Sequence, residues 1–334
     1  MTQGAEVSRR GFIGTALAGL ALPGVAGVAG AAPEDAKPVL FRNPFVYRFK
    51  IGELEAFSIS DGNLPLREGL GLMWPQEDRP KMKEQMEAHG EALDNLPLYV
   101  NLLVIRSGNE VAVFDAGFGK GSNPQIGWFE SGLAMAGIKP EQVTAAFLSH
   151  AHADHLNGFV SGGKPTFPNA AFYLLPEELA FWRSPNPDFT KTKRDQKPIP
   201  NMIREVRANF DILQPVMQPV KAGTELWGGK VVVEAAPGHT DGHACFRIRS
   251  GNDELLHLMD LSHHALLMFA NPDWTIAFDH DPVQAVVTRK KFWSEAAAKR
   301  TRCFGFHLPW PGLGRIVPDG PNYRWWAEKW TWMG

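Results

Sequence analysis

The sequence has few cysteines, few tyrosines and no long basic run. Only 2 of its 334 residues are cysteine, Cys245 and Cys303, which excludes the disulfide framework of a small secreted domain. Each stands in an apolar stretch, away from the spacing of a zinc–thiolate site, so we expect buried thiols, with a single bridge between them as the alternative. The longest basic run is 289–291, and the formal net charge is −2. This charge pattern argues against a nucleic-acid-binding protein.

The amino terminus has the features of an export signal. Arg9 and Arg10 precede an apolar stretch rich in glycine and alanine, and the small residues at 29–31 offer a cleavage point. Paired arginines are typical of a twin-arginine signal, and an uncleaved membrane anchor is the alternative. We expect residues 1–31 to be removed, leaving an enzyme domain over 32–334. The expected location is the periplasm or the exterior, with no stable membrane insertion.

The rest of the chain alternates strand-like and helical segments in two rough halves. Strand patterns occur at 45–61, 99–106, 110–114, 145–149, 171–175, 231–236, 244–248, 255–259 and 303–306, with a turn at 61–63. Helical patterns occur at 79–91, 124–137, 177–183, 201–211 and 282–300. The polar, proline-rich segment 184–200 is expected to be an exposed loop. This order favours one α/β domain in which two packed sheets lie between helices, a four-layer α/β/β/α sandwich.

Four potential metal ligands lie within six residues, directly after an apolar strand. They are His150, His152, Asp154 and His155. A lone histidine is commonly an ordinary structural side chain, but this density places several imidazoles and a carboxylate around one small volume. Neutral imidazole together with carboxylate suits zinc, iron or manganese. The stretch therefore predicts a metal site.

These residues match the H-x-H-x-D-H motif at every fixed position, so the chain resembles the metallo-β-lactamase superfamily. The resemblance implies three further ligands: His239 in Pro-Gly-His-Thr-Asp-Gly-His, Asp260 and His307. Met259 stands where the family commonly has a glycine, which makes the local backbone differ from the family pattern. His150, His239, Asp260 and His307 each follow an apolar strand, and the ends of such strands gather functional residues in α/β proteins.

The resemblance also implies how the ligands are divided. One cation takes three histidines, the other takes an aspartate and two histidines, and an aspartate bridges both: His150, His152 and His239; Asp154, His155 and His307; Asp260. Zn²⁺ is expected, with Mn²⁺, Fe²⁺ and Co²⁺ as alternatives. A hydroxide shared by two cations attacks the substrate, and Asp154 or Asp260 takes the proton. The sequence lacks the Gly-x-Ser-x-Gly motif of a serine nucleophile.

Within the superfamily, the chain resembles methyl parathion hydrolase and related lactone and aryl-ester hydrolases over about residues 98–318. This implies that Phe118 and Trp182 form aromatic walls of the substrate pocket, with ordinary core aromatics as the alternative. It also implies that Asp115 orients ligands by hydrogen bonding, with a plain turn aspartate as the alternative. Such an apolar pocket fits a small neutral substrate. We expect His263 either to line the pocket or to be a polar loop residue.

No tyrosine lies between Tyr173 and Tyr323. Many acyl-homoserine lactonases of the superfamily use a tyrosine from that region to assist the substrate carbonyl. We therefore expect lactones, aryl esters and phosphotriesters to be preferred. An acyl-homoserine lactonase and a non-catalytic metal-binding protein are the alternatives. Tryptophans near the carboxyl terminus suggest an apolar surface and a homodimer: Trp310, Trp325, Trp326, Trp330 and Trp332.

Overall fold

Two seven-stranded sheets form the centre of the molecule. A computed structural model describes residues 45–67, 69–74, 77–91, 95–121, 123–329 and 331. The expected export signal at 1–31 lies outside the described residues, as do Trp330 and Trp332. Among the helices that are described, none combines the length and the apolar character needed to cross a membrane.

The strands and helices are numbered here in chain order. The strands are β1 (Val46–Ile51), β2 (Leu54–Arg67), β3 (Asn95–Ser107), β4 (Glu110–Phe114), β5 (Val143–Phe147), β6 (Val160–Ser161), β7 (Lys164–Pro165), β8 (Ala171–Leu174), β9 (Met217–Pro219), β10 (Glu225–Leu226), β11 (Val231–Ala235), β12 (Ala244–Ser250), β13 (Asp253–His257), β14 (Arg302–Phe304), β15 (Leu313–Asp319) and β16 (Asn322–Ala327). The helices are α1 (Gly69–Met73), α2 (Arg79–Ala88), α3 (Phe129–Met135), α4 (Ala153–Leu156), α5 (Pro176–Arg183), α6 (Ile199–Leu213), α7 (Leu267–Ala270) and α8 (Pro282–Lys299).

The first sheet has the strand order β1-β2-β3-β4-β5-β8-β9. Its first four strands pair antiparallel, and β4, β5, β8 and β9 pair parallel. The second sheet runs β10 to β16 in order, antiparallel throughout except for the parallel pair β13–β14. Helix α8 connects these two parallel strands, as such a crossover requires. The short strands β6 and β7 form a separate hairpin.

An aromatic core joins the two sheets, and helices cover their outer faces. Phe114 stacks on Phe147 with ring centroids 4.9 Å apart, and Phe246 of the second sheet meets Phe114 edge-on at 5.2 Å. On the other side of the second sheet, Trp293 of α8 stacks on Phe269 at 4.3 Å. Helix α3 packs on β2 of the first sheet. The predicted four-layer sandwich is confirmed.

Several predicted elements need correction. Strand β2 continues through the turn expected at 61–63, with a register shift between Ser60 and Gly62. Asp61 is buried there, and its carboxylate accepts hydrogen bonds from backbone N–H groups. A residue type that usually favours turns is therefore accommodated inside a strand. The helix expected at 124–137 is limited to α3. The two strands of the hairpin β15–β16 were not predicted. Segment 184–198 is a loop and α6 begins at Ile199, within the predicted loop; Phe189 of the loop is buried rather than exposed. Both cysteines are free and buried, as expected.

The strand directions bring five chain segments to one edge of the sandwich. Strands β4 and β5 are parallel, so their carboxyl ends lie side by side. Strands β13 and β14 are also parallel, and β11 runs in the same direction because two antiparallel pairings separate it from β13. Within four residues of these ends stand Asp115, His150, His239, Asp260 and His307. The topology therefore collects the candidate ligands that are distant in sequence.

Candidate metal centre

The structure brings the seven predicted ligand side chains together. The ligand atoms of His150, His152, His239 and Asp260 all lie within 4.8 Å of one another, and so do those of Asp154, His155 and His307. Asp260 touches both groups: Oδ2 lies 3.1 Å from His239 Nε2, and Oδ1 lies 3.2 Å from His155 Nε2. The Asp260 carboxylate thus lies between the two groups, and Asp260, His263 and His307 form a third, overlapping group. The division of the ligands between two cations stays a prediction.

The local backbone explains how the motif reaches this arrangement. His152 precedes the single-turn helix α4 with an extended backbone, and Asp154 and His155 belong to α4. Asp260 lies in a short 3₁₀ turn directly after β13. Met259 has a φ of 46°, in the left-handed region that favours glycine. This backbone conformation explains why the family usually has a glycine at this position. Met259 adopts the same conformation at a cost in energy.

Hydrogen bonds fix the imidazole rings from behind. His155 Nδ1 lies 2.6 Å from an oxygen of Asp115, and His239 Nδ1 lies 2.9 Å from an oxygen of Asp279. His307 Nδ1 lies 2.7 Å from the carbonyl oxygen of Tyr99. In each case a proton on Nδ1 leaves Nε2 with its lone pair facing the other ligands. Asp115 thus stands where the resemblance placed it, whereas nothing in the sequence pointed to Asp279.

The electrostatics of the cluster suit a cation. Burial lowers the pKa of His150 and that of His152 well below the usual value, so both imidazoles are neutral at physiological pH. Burial alone would raise the pKa of Asp260, but the imidazoles of His155 and His307 hold it well below its usual range. Although burial opposes this, the Asp260 carboxylate raises the pKa of His155 well above its usual value and that of His239 to about 9. A divalent metal binds neutral imidazole and ionised carboxylate, so it would displace protons from these two rings.

Two features of the cluster fit a pair of divalent cations. His152 Nδ1 lies 2.9 Å from His150 Nε2 and 3.0 Å from His239 Nε2, so three nitrogens converge on one point. His155 Nε2 and Asp260 Oδ1 are buried and have no hydrogen-bond partner among the described residues. Unpaired buried polar atoms are costly, and a metal ion satisfies them. The donor set therefore fits both proposed positions.

A cavity of about 200 Å³ opens onto these ligands. Its polar floor includes Asp154, His263 and His307, and His263 Nε2 lies 3.0 Å from Asp260 Oδ2. Its apolar walls are Leu64, Leu66, Leu98, Phe118, Met202 and Phe278. Arg194 also lines it, from the loop that was expected to be exposed. The cavity has room for a small organic substrate next to the cluster.

Trp182 lies behind the metal loops. It is fully buried and is not among the described residues that line the cavity, which differs from the pocket wall inferred from the resemblance. Its indole N–H donates to Glu178 at 2.7 Å, and its ring packs against Phe181 and Phe189. Phe118 does line the cavity.

Glu178, like Asp279, is a residue next to the metal loops to which the sequence did not point. It is 1% exposed and joins two metal loops. One carboxylate oxygen accepts the N–H of Ala151 at 2.7 Å, and the other accepts the Thr240 hydroxyl at 2.6 Å and the Gly242 N–H at 3.1 Å. The position of Glu178 in the predicted helix 177–183, next to Glu177, gave no signal that sets it apart.

Comparison with known proteins agrees with the fold and the site. The family model of the metallo-beta-lactamase superfamily matches residues 95–299. The chain therefore belongs to the metallo-beta-lactamase superfamily. No curated protein gives a significant match to the chain.

Among solved structures, the chain is similar to AidC, a dizinc quorum-quenching lactonase in complex with the product N-hexanoyl-L-homoserine. The TM-score is 0.82 with 30% identity, covering 86% of this chain and 98% of that one. A second similar structure is the hydrolase AbOPH, with a TM-score of 0.77, 23% identity and coverage of 86% and 98%. A third is a probable metal-dependent hydrolase from Staphylococcus aureus, with a TM-score of 0.67, 20% identity and coverage of 85% and 100%. The superfamily membership, the likeness to AidC and the His/Asp cluster support a metal-dependent hydrolase, while the other two likenesses show the fold.

Proposed function

We propose that this protein is a two-metal hydrolase that opens lactones and cleaves aryl esters. The observation that carries the proposal is the convergence of seven histidine and aspartate side chains at the floor of an open, largely apolar cavity. The likeness to a dizinc lactonase over 86% of the chain supports lactones as the first substrate class. The resemblance to methyl parathion hydrolase inferred from the sequence motifs is the reason to test aryl esters and phosphotriesters next.

In this proposal the ligands are divided as the cluster suggests. His150, His152 and His239 hold one cation, Asp154, His155 and His307 hold the other, and Asp260 binds both. Zn²⁺ is the proposed ion, and Mn²⁺, Fe²⁺ or Co²⁺ are alternatives. When bound, the two cations supply Lewis acidity, which polarises the substrate carbonyl and makes water a stronger nucleophile at neutral pH.

The chain's own residues orient the substrate and handle protons. Phe118 and the leucine side chains bind the apolar part of the substrate and keep bulk water away from it. Asp115 and Asp279 hold His155 and His239 in the tautomers that bind metal. Asp154, with 14% of its side chain exposed, faces the cavity and is the better placed proton acceptor; Asp260 is 2% exposed.

A substrate panel on enzyme of defined metal content tests the proposal. We expect turnover of N-hexanoyl-homoserine lactone, dihydrocoumarin and phenyl acetate, with paraoxon and nitrocefin as phosphotriester and β-lactam arms. The variant Asp260→Ala should lower kcat/KM by at least about 100-fold. The control Asp273→Ala removes a carboxylate whose side chain is 71% exposed and should leave the rates unchanged. Absence of hydrolysis across the panel would favour a non-catalytic metal-binding protein.

The expected export signal and the dimer stay predictions. We propose a periplasmic or secreted protein whose mature chain starts near Ala32, because the paired arginines and the small-residue cleavage point precede the described domain. Amino-terminal sequencing of periplasmic material tests this, and an intact Met1 would contradict it. Light scattering of the mature protein tests the homodimer.

A further inference from the structure

Arg194 is a half-buried cation whose guanidinium makes few hydrogen bonds to the protein. Its guanidinium lies over the Phe278 ring at 4.9 Å, and one N–H group contacts the Met202 sulfur at 2.7 Å. A guanidinium has five N–H donors. Among the described residues, no carboxylate lies within 4 Å of this guanidinium. Other arginines of the chain, by contrast, form ion pairs with glutamate side chains.

Arg289 shows what a structural buried arginine looks like in the same protein. Its guanidinium donates to three backbone carbonyl oxygens, those of Leu261, Pro272 and Trp274, at 2.8 to 3.0 Å. Arg194 makes no comparable set of hydrogen bonds to oxygen acceptors in the described chain. Because it lines the cavity and is partly exposed, its remaining N–H donors can reach an acceptor on a molecule bound there.

The position of Arg194 indicates where that acceptor comes from. Arg194 lines the cavity that also contains Asp154, His152 and Asp260. Burial lowers the pKa of Arg194 to about 10, and the nearby carboxylates of Asp154 and Asp279 oppose this shift, so the side chain is charged at neutral pH. An oxygen acceptor on the substrate is therefore favoured here.

We propose that Arg194 is a specificity-determining residue, which donates hydrogen bonds to a second carbonyl oxygen on the acyl side of the substrate, beyond the scissile ester. The amide carbonyl of an N-acyl-homoserine lactone has this chemistry. The proposal rests on the proposed hydrolase function and narrows its substrate class. It also changes the expectation drawn from the absence of tyrosine between Tyr173 and Tyr323, because a guanidinium from that interval supplies a donor.

Two lactones separate this role from a general contribution to the fold. N-hexanoyl-homoserine lactone carries the second carbonyl, whereas γ-decalactone has the same ring size and an alkyl chain but no amide. The variant Arg194→Met should lower kcat/KM for the first substrate by about 10-fold to 100-fold, mainly through KM, because a hydrogen bond to a charged group is lost. The rate for γ-decalactone should change less than about 3-fold, as expected when no such bond is lost.

Two further variants serve as controls. Arg204→Met on α6 removes an exposed guanidinium bonded to Asn201 and should leave both substrates unaffected. Arg194→Lys keeps the charge without the planar fork, so it should recover part of the lost affinity. If Arg194→Met does not fold, Arg194→Lys alone should still weaken N-hexanoyl-homoserine lactone selectively.

A binding measurement gives a readout besides activity. Calorimetry with metal-loaded protein should show that the product N-hexanoyl-homoserine binds Arg194→Met about 10-fold or more weakly than the wild type. Equal losses for both lactones, or unchanged product affinity, would overturn the role of Arg194. If the wild type opens neither lactone, the lactonase part of the proposed function fails, and product binding decides about Arg194 by itself: no difference between wild type and Arg194→Met overturns it.

Discussion

Glu178 carries a negative charge in a place where water does not reach it. Four hydrogen bonds compensate for that burial, from the Ala151 and Gly242 N–H groups, the Thr240 hydroxyl and the Trp182 indole. Burial raises the pKa of Glu178, and these donors oppose the shift. Because the donors of Ala151, Thr240 and Gly242 belong to the loops that carry His150 and His239, the carboxylate links the two loops.

The variant Glu178→Gln tests this link. An amide has only one oxygen, so its NH₂ group must face two of the four donors. We expect the affinity for the metal to fall about 10-fold to 100-fold, the usual cost of losing a group that orients ligands. Competition with a fluorescent chelator measures it. Glu177→Gln, on the exposed face of the same helix, is the matched control, and equal affinities in both variants would count against the link.

Asp61 gives the protein a pH-dependent stability. Its carboxylate accepts the N–H groups of Phe118 and Phe129 at 2.8 and 2.9 Å, but burial dominates and raises its pKa to about 7. The folded state therefore holds this proton more tightly than the unfolded chain, whose value is about 3.9. The free energy of unfolding falls as pH rises between these two values and becomes constant above about 7.

The comparison with Asp61→Asn isolates this contribution, since asparagine does not titrate. Between pH 5.5 and 8, the free energy of unfolding of the wild type should fall relative to Asp61→Asn by about 2 kcal/mol. Urea denaturation of metal-loaded protein at both pH values measures the difference. A constant difference across this range would show that Asp61 titrates as it does in the unfolded chain.

At the scale of elements, helix α5 is positioned by a close backbone contact. A Cβ built on Gly242 lies 2.0 Å from the backbone nitrogen of Glu178 and 2.5 Å from its Cα, so only glycine fits between the His239 loop and α5. This contact lets the Glu178 carboxylate reach both metal loops. The glycine of the Pro-Gly-His-Thr-Asp-Gly-His segment therefore has a packing role, distinct from the ligand role of His239.

We expect Gly242→Ala to displace α5 and to lower both stability and metal affinity. The loss of stability should be about 1–3 kcal/mol, typical of overpacking in a core. Thermal unfolding of metal-loaded protein measures it. Gly121→Ala is the control, because a Cβ at Gly121 meets no atom within 4 Å. Similar stability of both variants would mean that the loop and α5 can separate without cost.

The sequence predicted the metal ligands better than the residues that hold these ligands and their loops in position by hydrogen bonding. His150, His152, Asp154 and His155 are neighbours in the chain, so their shared chemistry is visible without a structure. Glu178 and Asp279 form hydrogen bonds with residues 27 and 40 positions away in the sequence, and no local sequence pattern predicts such contacts. Arg194 lay in a polar segment whose composition indicates exposure, because composition does not show that a loop folds over a cavity.

The same distinction holds for the strands and helices. Helices α6 and α8 lie within two residues of their predicted bounds, since apolar periodicity and a capping Asp281 mark them locally. Strand β2 passes through Asp61 and Gly62 because pairing with β3 outweighs their preference for a turn. The hairpin β15–β16 was missed: its strands contain Gly314 and Pro318, which weaken a strand pattern, and pairing with β14 supplies the missing stability.

For the molecule as a whole, the sandwich positions the loops that carry the candidate ligands at one of its edges. Two sheets with parallel strand pairs deliver five loop segments to that edge, and the aromatic core between Phe114, Phe147 and Phe246 keeps the sheets in place. The predicted consequence is a rigid site in which two cations bind to ligands that the fold has already assembled. The central claim is therefore that the assembled cluster of ligands binds metal ions.

Metal stoichiometry by elemental mass spectrometry tests that claim most directly. Protein prepared without chelator should contain about two divalent transition-metal ions per chain, the number set by the two proposed ligand groups, and Asp260→Ala should hold clearly fewer because a ligand shared by both is lost. Removal of the ions by a chelator should abolish hydrolysis, and readdition should restore it. Fully active wild-type protein without stoichiometric metal, or undiminished metal in Asp260→Ala, would contradict the account.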